Sequence, residues 1–304
     1  MAISSKPILI SIVGPTAVGK TDLSIQLAQW LDTEIVSADS RQFYREMTIG
    51  TAKPADEGLK MVPHHFINSH SISEMYSAGE YGRDAVAKIT ELHQNHDTVI
   101  AVGGSTLYLK AIWDGFDEMP EIDPSVRDKL NAAFEQNGLG PLLEELRQAD
   151  PDYYNQVDRN NGQRIIRALE VIRGSGKPFS SFRKKQPEGM PYDHLKIGLN
   201  MDRELLFDRI NKRMDLMIEQ GLFEEAEGLY PYKDHNALQT VGYSEIFGYM
   251  DGEYDKEEAI RLLKRNSRRY AKRQLTWFRK YEDIHWFEPG QTGEVKSLIE
   301  KALS

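Results

Sequence analysis

Residues 14–21 have the residue types and the spacing of a phosphate-binding loop, Gly-x-x-x-x-Gly-Lys-Thr. In such a loop, backbone N–H groups and the N-terminus of the next helix point at an anion. Lys20 adds a positive charge, and the hydroxyl of Thr21 can hold a magnesium ion. The pattern predicts a polyphosphate site made of Gly14, Pro15, Thr16, Ala17, Val18, Gly19, Lys20 and Thr21. It leaves open which phosphate compound binds and which of its bonds breaks.

Polar residues follow two further predicted strands. Asp39 ends an apolar strand at residues 34–39, where it can serve as a magnesium ligand, a general base or a helix N-cap. Ser105 comes after a strand at residues 98–102 and two glycines that permit close approach of the backbone. Lys53, in a loop framed by Gly and Pro, either reaches an anion or lies on the surface. The carboxyl ends of parallel strands are where ligands bind, which favours a functional role for these residues.

Arginines recur at helical spacing in two segments. Arg164 and Arg167 are three residues apart, and Arg209 and Arg213 are four apart, so each pair shares one helix face. Guanidinium pairs of this kind can clamp phosphates, although an ion-paired or solvated face has the same spacing.

A basic segment lies near the C-terminal end of the chain. The net charge is −9 at pH 7, yet nine of the 38 Lys and Arg residues fall within residues 261–280, which contain no Asp or Glu. Tyr270, Trp277 and Phe278 are interleaved with these cations. A local cluster of this kind is typical of nucleic-acid binding, and an amphipathic helix that covers the core would show the same pattern.

These residues must be positioned by an α/β fold. Apolar strands at residues 8–13, 34–39 and 98–102 alternate with helical patterns at residues 22–31 and 78–94, which predicts a P-loop NTPase-like parallel sheet flanked by helices. Strand patterns are missing from residues 116–194. We therefore expect a core formed by residues 1–115 and 195–304 and a helical insertion domain formed by residues 116–194. After a strand at residues 195–200, the remaining chain is predicted to be helical.

Composition excludes several classes of protein. The 304 residues include no cysteine, so disulfides, thiolate nucleophiles and Cys-based zinc sites are impossible. No apolar run reaches the roughly 20 residues that span a bilayer, and no signal peptide precedes the first strand. We expect a cytoplasmic protein that does not bind membranes.

Taken together, five motifs resemble those of the tRNA dimethylallyltransferase (tRNA isopentenyltransferase) family of the bacterial type. The resemblance extends from the first strand to Trp286. The motifs that carry it are residues 14–21, 39–44, 50–54, 103–108 and 271–279, in this order along the chain.

The resemblance implies a reaction. Members transfer the dimethylallyl group of dimethylallyl diphosphate to the exocyclic amine of the adenosine 3′-adjacent to the tRNA anticodon, which gives isopentenyladenosine and releases diphosphate. It also implies Mg²⁺ as cofactor, tRNA as partner and a loop that holds a diphosphate leaving group, whether or not ATP also binds there. The helical insertion would contact the anticodon region. We expect a monomer.

The resemblance also implies roles for individual residues. Asp39 matches the catalytic base, and Lys20, Thr21 and Arg213 would stabilise the leaving diphosphate, with Thr21 as the magnesium ligand. The residues at tRNA-contact positions, together with two arginines of the basic segment, are Asp39, Ser40, Arg41, Gln42, Ser105, Arg127, Gln163, Arg164, Ile165, Ile166, Arg167, Gln239, Thr240, Val241, Gly242, Tyr243, Ser244, Arg268 and Arg269. Ser105 replaces the usual Thr and keeps the hydroxyl, and Gln239 stands where Arg is frequent.

Two other functions remain open from the residues alone. An ATP-dependent small-molecule kinase would also need the P-loop, with the insertion as its lid, but it would not need the basic segment. A non-catalytic RNA-binding protein would need the basic segment but not Asp39 at the edge of the sheet.

Overall fold

A computed structural model describes residues 6–183 and 189–304, which form six strands, thirteen α-helices and three short 3₁₀ helices. The strands make one all-parallel sheet in the order β3-β2-β4-β1-β5-β6. They are β1 (Ile8–Val13), β2 (Ile35–Ala38), β3 (His64–His65), β4 (Thr98–Gly103), β5 (Asp193–Leu199) and β6 (Ile284–Phe287). The prediction of a parallel α/β core is confirmed.

The helices follow the strands in the order expected for βα units. They are α1 (Lys20–Leu31), α2 (Asp56–Met61), α3 (Ala78–Leu92), α4 (Thr106–Trp113), α5 (Pro124–Asn137), α6 (Gly140–Ala149), α7 (Pro151–Tyr154), α8 (Gly162–Ser175), α9 (Arg203–Glu219), α10 (Leu222–Leu229), α11 (Ser244–Met250), α12 (Lys256–Phe278) and α13 (Thr292–Leu303). Within the described residues, none of these helices is long and apolar enough to cross a membrane.

The sheet is buried on both faces. Successive side chains of β1 point to opposite faces, so Leu9 and Val13 join one apolar cluster while Ile10 and Ile12 join another. All four side chains are fully buried. Burial on both faces explains why these strands read as continuous apolar runs rather than as alternating ones.

Strand order brings the predicted site residues to one edge. β4 lies between β1 and β2, and its last residue, Gly103, is in register with Val13 and Ala38. The P-loop (residues 14–21), Asp39 and Gly104 each continue directly from one of these strand ends. A Cβ at Gly103 would collide with the carbonyl of Ala38, which explains the glycine.

The chain forms two compact units. One consists of residues 1–114 and 190–304, and the other of residues 115–189. The second unit contains α5–α8 and has an apolar core of its own, including Leu130, Leu146 and Leu169, each with no exposed surface.

One expectation about the C-terminal region is wrong. The chain after residue 200 is not wholly helical, because β6 adds a sixth strand beside β5. His285 and Trp286 on β6 are exposed, as befits a short edge strand, so β6 lacks the apolar run that marks the central strands.

Candidate active site

The P-loop has the backbone conformation that its glycines predict. Gly14, Ala17 and Gly19 have φ values of 144°, 64° and 107°. A side chain at Gly14 would collide with the carbonyl oxygen of Leu199 on β5. Because α1 begins at Lys20 and its N-cap, Gly19, has no side chain, the N–H groups of the first helical turn are available to an anion.

The surroundings of Lys20 lower its pKa. Its Nζ donates to the carbonyl oxygen of Pro15 at 2.8 Å. Burial and, secondarily, the charge of Arg213 lower the pKa of Lys20 to about 7, against the opposing effect of Asp39. An added anion would therefore stabilise the protonated form.

Asp39 is fixed by a local turn. Its Oδ1 accepts hydrogen bonds from the backbone N–H groups of Arg41 at 2.9 Å and Gln42 at 3.3 Å. Ser105 adds a second support, since its Oγ accepts from the N–H of Ser40 at 2.8 Å and donates to the Ser40 hydroxyl at 3.0 Å. The carboxylate is thus held at the end of β2.

Two adjacent cavities open at this edge of the sheet. The smaller, of about 80 Å³, which we call the P-loop cavity, is lined by Lys20, Thr21 and Gly104, among others. The larger, of about 240 Å³, which we call the large cavity, has an apolar wall from α9 and a polar wall from residues 39–41. Both cavities are lined by Thr16, Asp39, Thr51 and Arg213.

Two arginines of α9, Arg209 and Arg213, lie near the P-loop. Burial lowers the pKa of the Arg213 guanidinium below its ordinary value, while Asp39 opposes that shift. A Cβ added to Gly19 would lie 3.8 Å from a guanidinium nitrogen of Arg209. Arg213 and Lys20 both line the P-loop cavity, whereas Arg209 is exposed beside Gly19.

A half-buried carboxylate that the sequence did not reveal holds the loop that lines these cavities. Glu225 accepts hydrogen bonds from the N–H groups of Thr48, Ile49 and Gly50 at 2.8–2.9 Å. It also accepts a bond from the hydroxyl of Tyr243 at 2.6 Å. Glu225 thereby positions both the Thr51 segment and residues 240–242, which line the large cavity.

Lys53 is held by backbone and side-chain groups of the neighbouring segments 44–53 and 64–68. Its Nζ donates to the carbonyl oxygen of Tyr44 at 2.5 Å and to Oδ1 of Asn68 at 2.6 Å. Its pKa falls to about 8, chiefly because of burial. Lys53 therefore fits neither of the two alternatives, since it is half-buried and its ammonium is held by the protein itself.

α12 contributes two side chains to the site that spacing alone did not single out. Tyr270 lines the large cavity, together with Asp39 and Ser40. Burial, reinforced by the charge of Asp39, raises the pKa of Tyr270 to about 12, so it stays protonated at neutral pH. Gln274 is buried between the P-loop and the end of β4.

The opposite side of α12 carries exposed cations. Arg269, Lys272 and Arg273 are exposed and lie three and four residues apart, so they form one surface, which we call the basic face. The prediction for Arg268 needs correction, because its guanidinium donates to Asn211 on α9 at 2.6 Å. Lys264 is likewise held by Asp215 at 2.5 Å. Both occupy the side of α12 that packs against α9.

In the unit of residues 115–189, several predicted RNA contacts form a network with one another. Arg127 donates to Glu170 at 2.9 Å and to Gln163 at 3.0 Å, and Arg167 lies 3.0 Å from the same Glu170 carboxylate. Arg164 is exposed. Of this arginine pair, Arg167 follows the ion-paired alternative, whereas Arg164 forms no ion pair with any carboxylate among residues 6–183 and 189–304.

Three residues at predicted RNA-contact positions have side chains that the fold buries. Ile165 and Ile166 have no exposed surface and pack in the core of their unit. Tyr243 is also fully buried, with its hydroxyl on Glu225. Gln239 is exposed, but its Nε2 donates to the carbonyl oxygen of Lys233 at 2.7 Å. Sequence positions inside a contacting segment do not tell which side chains face outward.

Comparison with known proteins identifies the family. A family model described as IPP transferase matches residues 42–281. The chain belongs to the IPP transferase family. A tRNA dimethylallyltransferase of Cytophaga hutchinsonii is 50% identical over 295 residues, which cover 97% of each chain. One of Christiangramia forsetii is 52% identical over 280 residues, which cover 92% of this chain and 93% of that protein.

Solved structures of family members share the fold. The tRNA isopentenylpyrophosphate transferase of Bacillus halodurans aligns with a TM-score of 0.73 at 41% identity, over 98% of this chain and 97% of that one. A eukaryotic dimethylallyltransferase acting on tRNA aligns with a TM-score of 0.78 at 28% identity, over 93% of this chain and 74% of that one.

Proposed function

We propose that this IPP transferase moves a dimethylallyl group from dimethylallyl diphosphate to the exocyclic amine of the adenosine 3′-adjacent to the anticodon of tRNA. The observation that carries the proposal is the placement of Asp39 on the wall common to the P-loop cavity and the large cavity. A base in that position lies between a site for a leaving group and a site for an attacking nucleotide.

The P-loop cavity suits the diphosphate. Breaking the allylic C–O bond leaves its electron pair, and hence negative charge, on the diphosphate oxygen. Lys20 and Arg213 line this cavity, and the uncapped amides at the start of α1 adjoin it, so these groups would stabilise that charge where it develops.

The residues present also fit a magnesium ion. Thr21 lines the P-loop cavity and would offer its hydroxyl to the metal, which leaves Asp39 to act as the base. Among residues 6–183 and 189–304, no cluster of three His, Asp or Glu side chains would enclose a metal by itself. Mg²⁺ commonly takes one or two protein ligands and completes its shell with phosphate oxygens and water. Bound there beside the diphosphate, Mg²⁺ would neutralise part of its charge.

The large cavity suits the adenine and the hydrocarbon. Ile210, Met214 and Met217 give its α9 wall an apolar surface, and the Tyr270 ring lies in the same cavity. We infer that the adenine amine nitrogen forms a bond to the allylic carbon as the C–O bond breaks, and that Asp39 takes the amine proton. The adenine must leave its stack to enter, which costs less in a loop than in a duplex.

The tRNA would bind through two surfaces. The basic face of Arg269, Lys272 and Arg273 is suited to phosphate contacts. In the helical unit, Arg164 is exposed, and Arg127, Gln163 and Arg167 form a preorganised polar group around Glu170. We propose that this unit contacts the anticodon region.

One assay separates this function from that of a P-loop kinase. The protein is incubated with labelled dimethylallyl diphosphate and unmodified tRNA, with and without ATP. Label in the tRNA without ATP is the expected result. Transfer of phosphate from ATP to a small acceptor, with no label in tRNA, would establish the kinase instead.

A further inference from the structure

Gln274 joins three segments that are far apart in the sequence. It lies on α12, and its side-chain Oε1 accepts the backbone N–H of Thr16 in the P-loop at 2.9 Å. Its Nε2 donates to the carbonyl oxygen of Gly104, just after β4, at 2.9 Å. The residue is only 4% exposed, so water does not replace these bonds.

From these contacts we infer that Gln274 is a positioning residue that holds the P-loop in its anion-binding conformation. The inference rests on the proposed use of that loop for diphosphate. Thr16 lines both cavities and immediately precedes Ala17, whose φ of 64° is unfavourable for a residue with a side chain. The hydrogen bond to the Thr16 amide helps to maintain this turn. The turn then sets the direction in which the following backbone N–H groups of the P-loop point.

The surroundings are built to admit this side chain. A Cβ on Gly104 would collide with Nε2 of Gln274, so the glycine keeps the space that the carboxamide fills. A carboxamide is also the group that suits both ends, because it presents one acceptor and one donor in a single plane. A glutamate would bring an oxygen against the Gly104 carbonyl and add charge near the diphosphate.

The test uses the full-length protein and inorganic diphosphate with magnesium as the probe. In Gln274→Met, which retains length and volume but loses both hydrogen bonds, the dissociation constant measured by calorimetry should rise about tenfold. The dissociation constant for tRNA should stay within about twofold. Gly104→Ala should weaken diphosphate binding in the same direction, because it displaces the Gln274 side chain.

A matched control separates positioning from packing. Phe278→Leu removes buried surface from the same helix without touching the P-loop, and it should leave the affinity for diphosphate unchanged. If Gln274→Met binds diphosphate as tightly as the wild type or more tightly, the inference is wrong. If the wild type itself binds no diphosphate, the proposed function fails.

Hydrogen exchange provides a readout that needs no ligand. Peptides covering residues 14–21 should exchange faster in Gln274→Met than in the wild type, while Phe278→Leu should leave them unchanged. Equal exchange in the wild type and Gln274→Met would overturn the inference even if the variant were less stable overall.

Discussion

At the scale of single residues, the role of Asp39 as a base can be tested separately from its role in the local turn. Asp39→Asn keeps an oxygen for the N–H groups of Arg41 and Gln42, so the turn survives while the base is lost. We expect turnover to fall by about 10²–10⁴-fold with tRNA affinity nearly unchanged. Single-turnover transfer of label and a separate tRNA-binding titration measure the two effects. Turnover equal to that of the wild type would remove Asp39 from the role of base.

Lys20 gives a prediction about pH. Its pKa of about 7 means that the free protein loses this ammonium as the pH rises through neutrality, whereas bound diphosphate favours it. The dissociation constant for inorganic diphosphate should therefore increase from pH ~6.5 to pH ~8.5, by at most about tenfold per pH unit.

Lys20→Arg is the matched comparison for this prediction. A guanidinium stays charged over the whole range, and the titration of diphosphate itself is common to both proteins. The variant should show the weaker dependence on pH in calorimetric titrations. Parallel curves for the two proteins would mean that Lys20 does not titrate at the site.

The sequence alone identified the site residues that directly follow strand ends. It did not identify those that are contributed by helices distant in the sequence. The P-loop and Asp39 are marked by short local patterns, and the structure places them on one sheet edge. Gln274 and Thr16 are separated by 258 positions, so no spacing rule links them. Glu225 resembles any other acidic residue of a helix until three backbone N–H groups are found around it.

At the scale of elements, α12 divides its cations between two tasks. Arg268 and Lys264 bind α9, whereas Arg269 and Lys272 are exposed. The double substitution Arg269→Ala with Lys272→Ala should weaken tRNA binding and reduce the slope of log K against log[salt] by about 1.4–1.8, since each neutralised phosphate contributes about 0.7–0.9.

Lys264→Ala provides the control for that experiment. It removes one positive charge from the same helix, but from a side chain already paired with Asp215. Its salt slope should match that of the wild type in filter-binding titrations over a range of salt concentrations. A double variant with an unchanged slope would assign the basic face a structural role.

The elements also show where pattern recognition ends. The spacing of apolar residues located β1 at the bounds that the structure gives it. The two-residue strand β3 and the exposed strand β6 are specified by their neighbours in the sheet, since neither carries enough buried side chains to produce a pattern. Tertiary pairing, not local propensity, makes them strands.

At the scale of the whole molecule, the two compact units have separate apolar cores. We therefore expect a destabilising core substitution in one unit to leave the stability of the other unit unchanged. Leu169→Ala removes a fully buried side chain from the helical unit and should destabilise that unit by about 2–5 kcal/mol. In calorimetric melting, one transition should move to lower temperature while the transition of the α/β unit stays in place.

The functional consequence of Leu169→Ala distinguishes the roles of the units. Under conditions that melt only the helical unit, affinity for inorganic diphosphate should persist while transfer to tRNA falls, because the P-loop cavity is formed wholly by the other unit. Leu27→Ala on α1 is the reciprocal control, since it damages the core beneath the P-loop and should weaken diphosphate binding. If Leu169→Ala abolished diphosphate binding under those conditions, the two units would be one cooperative structure, and the assignment of leaving-group binding to the α/β unit alone would be wrong.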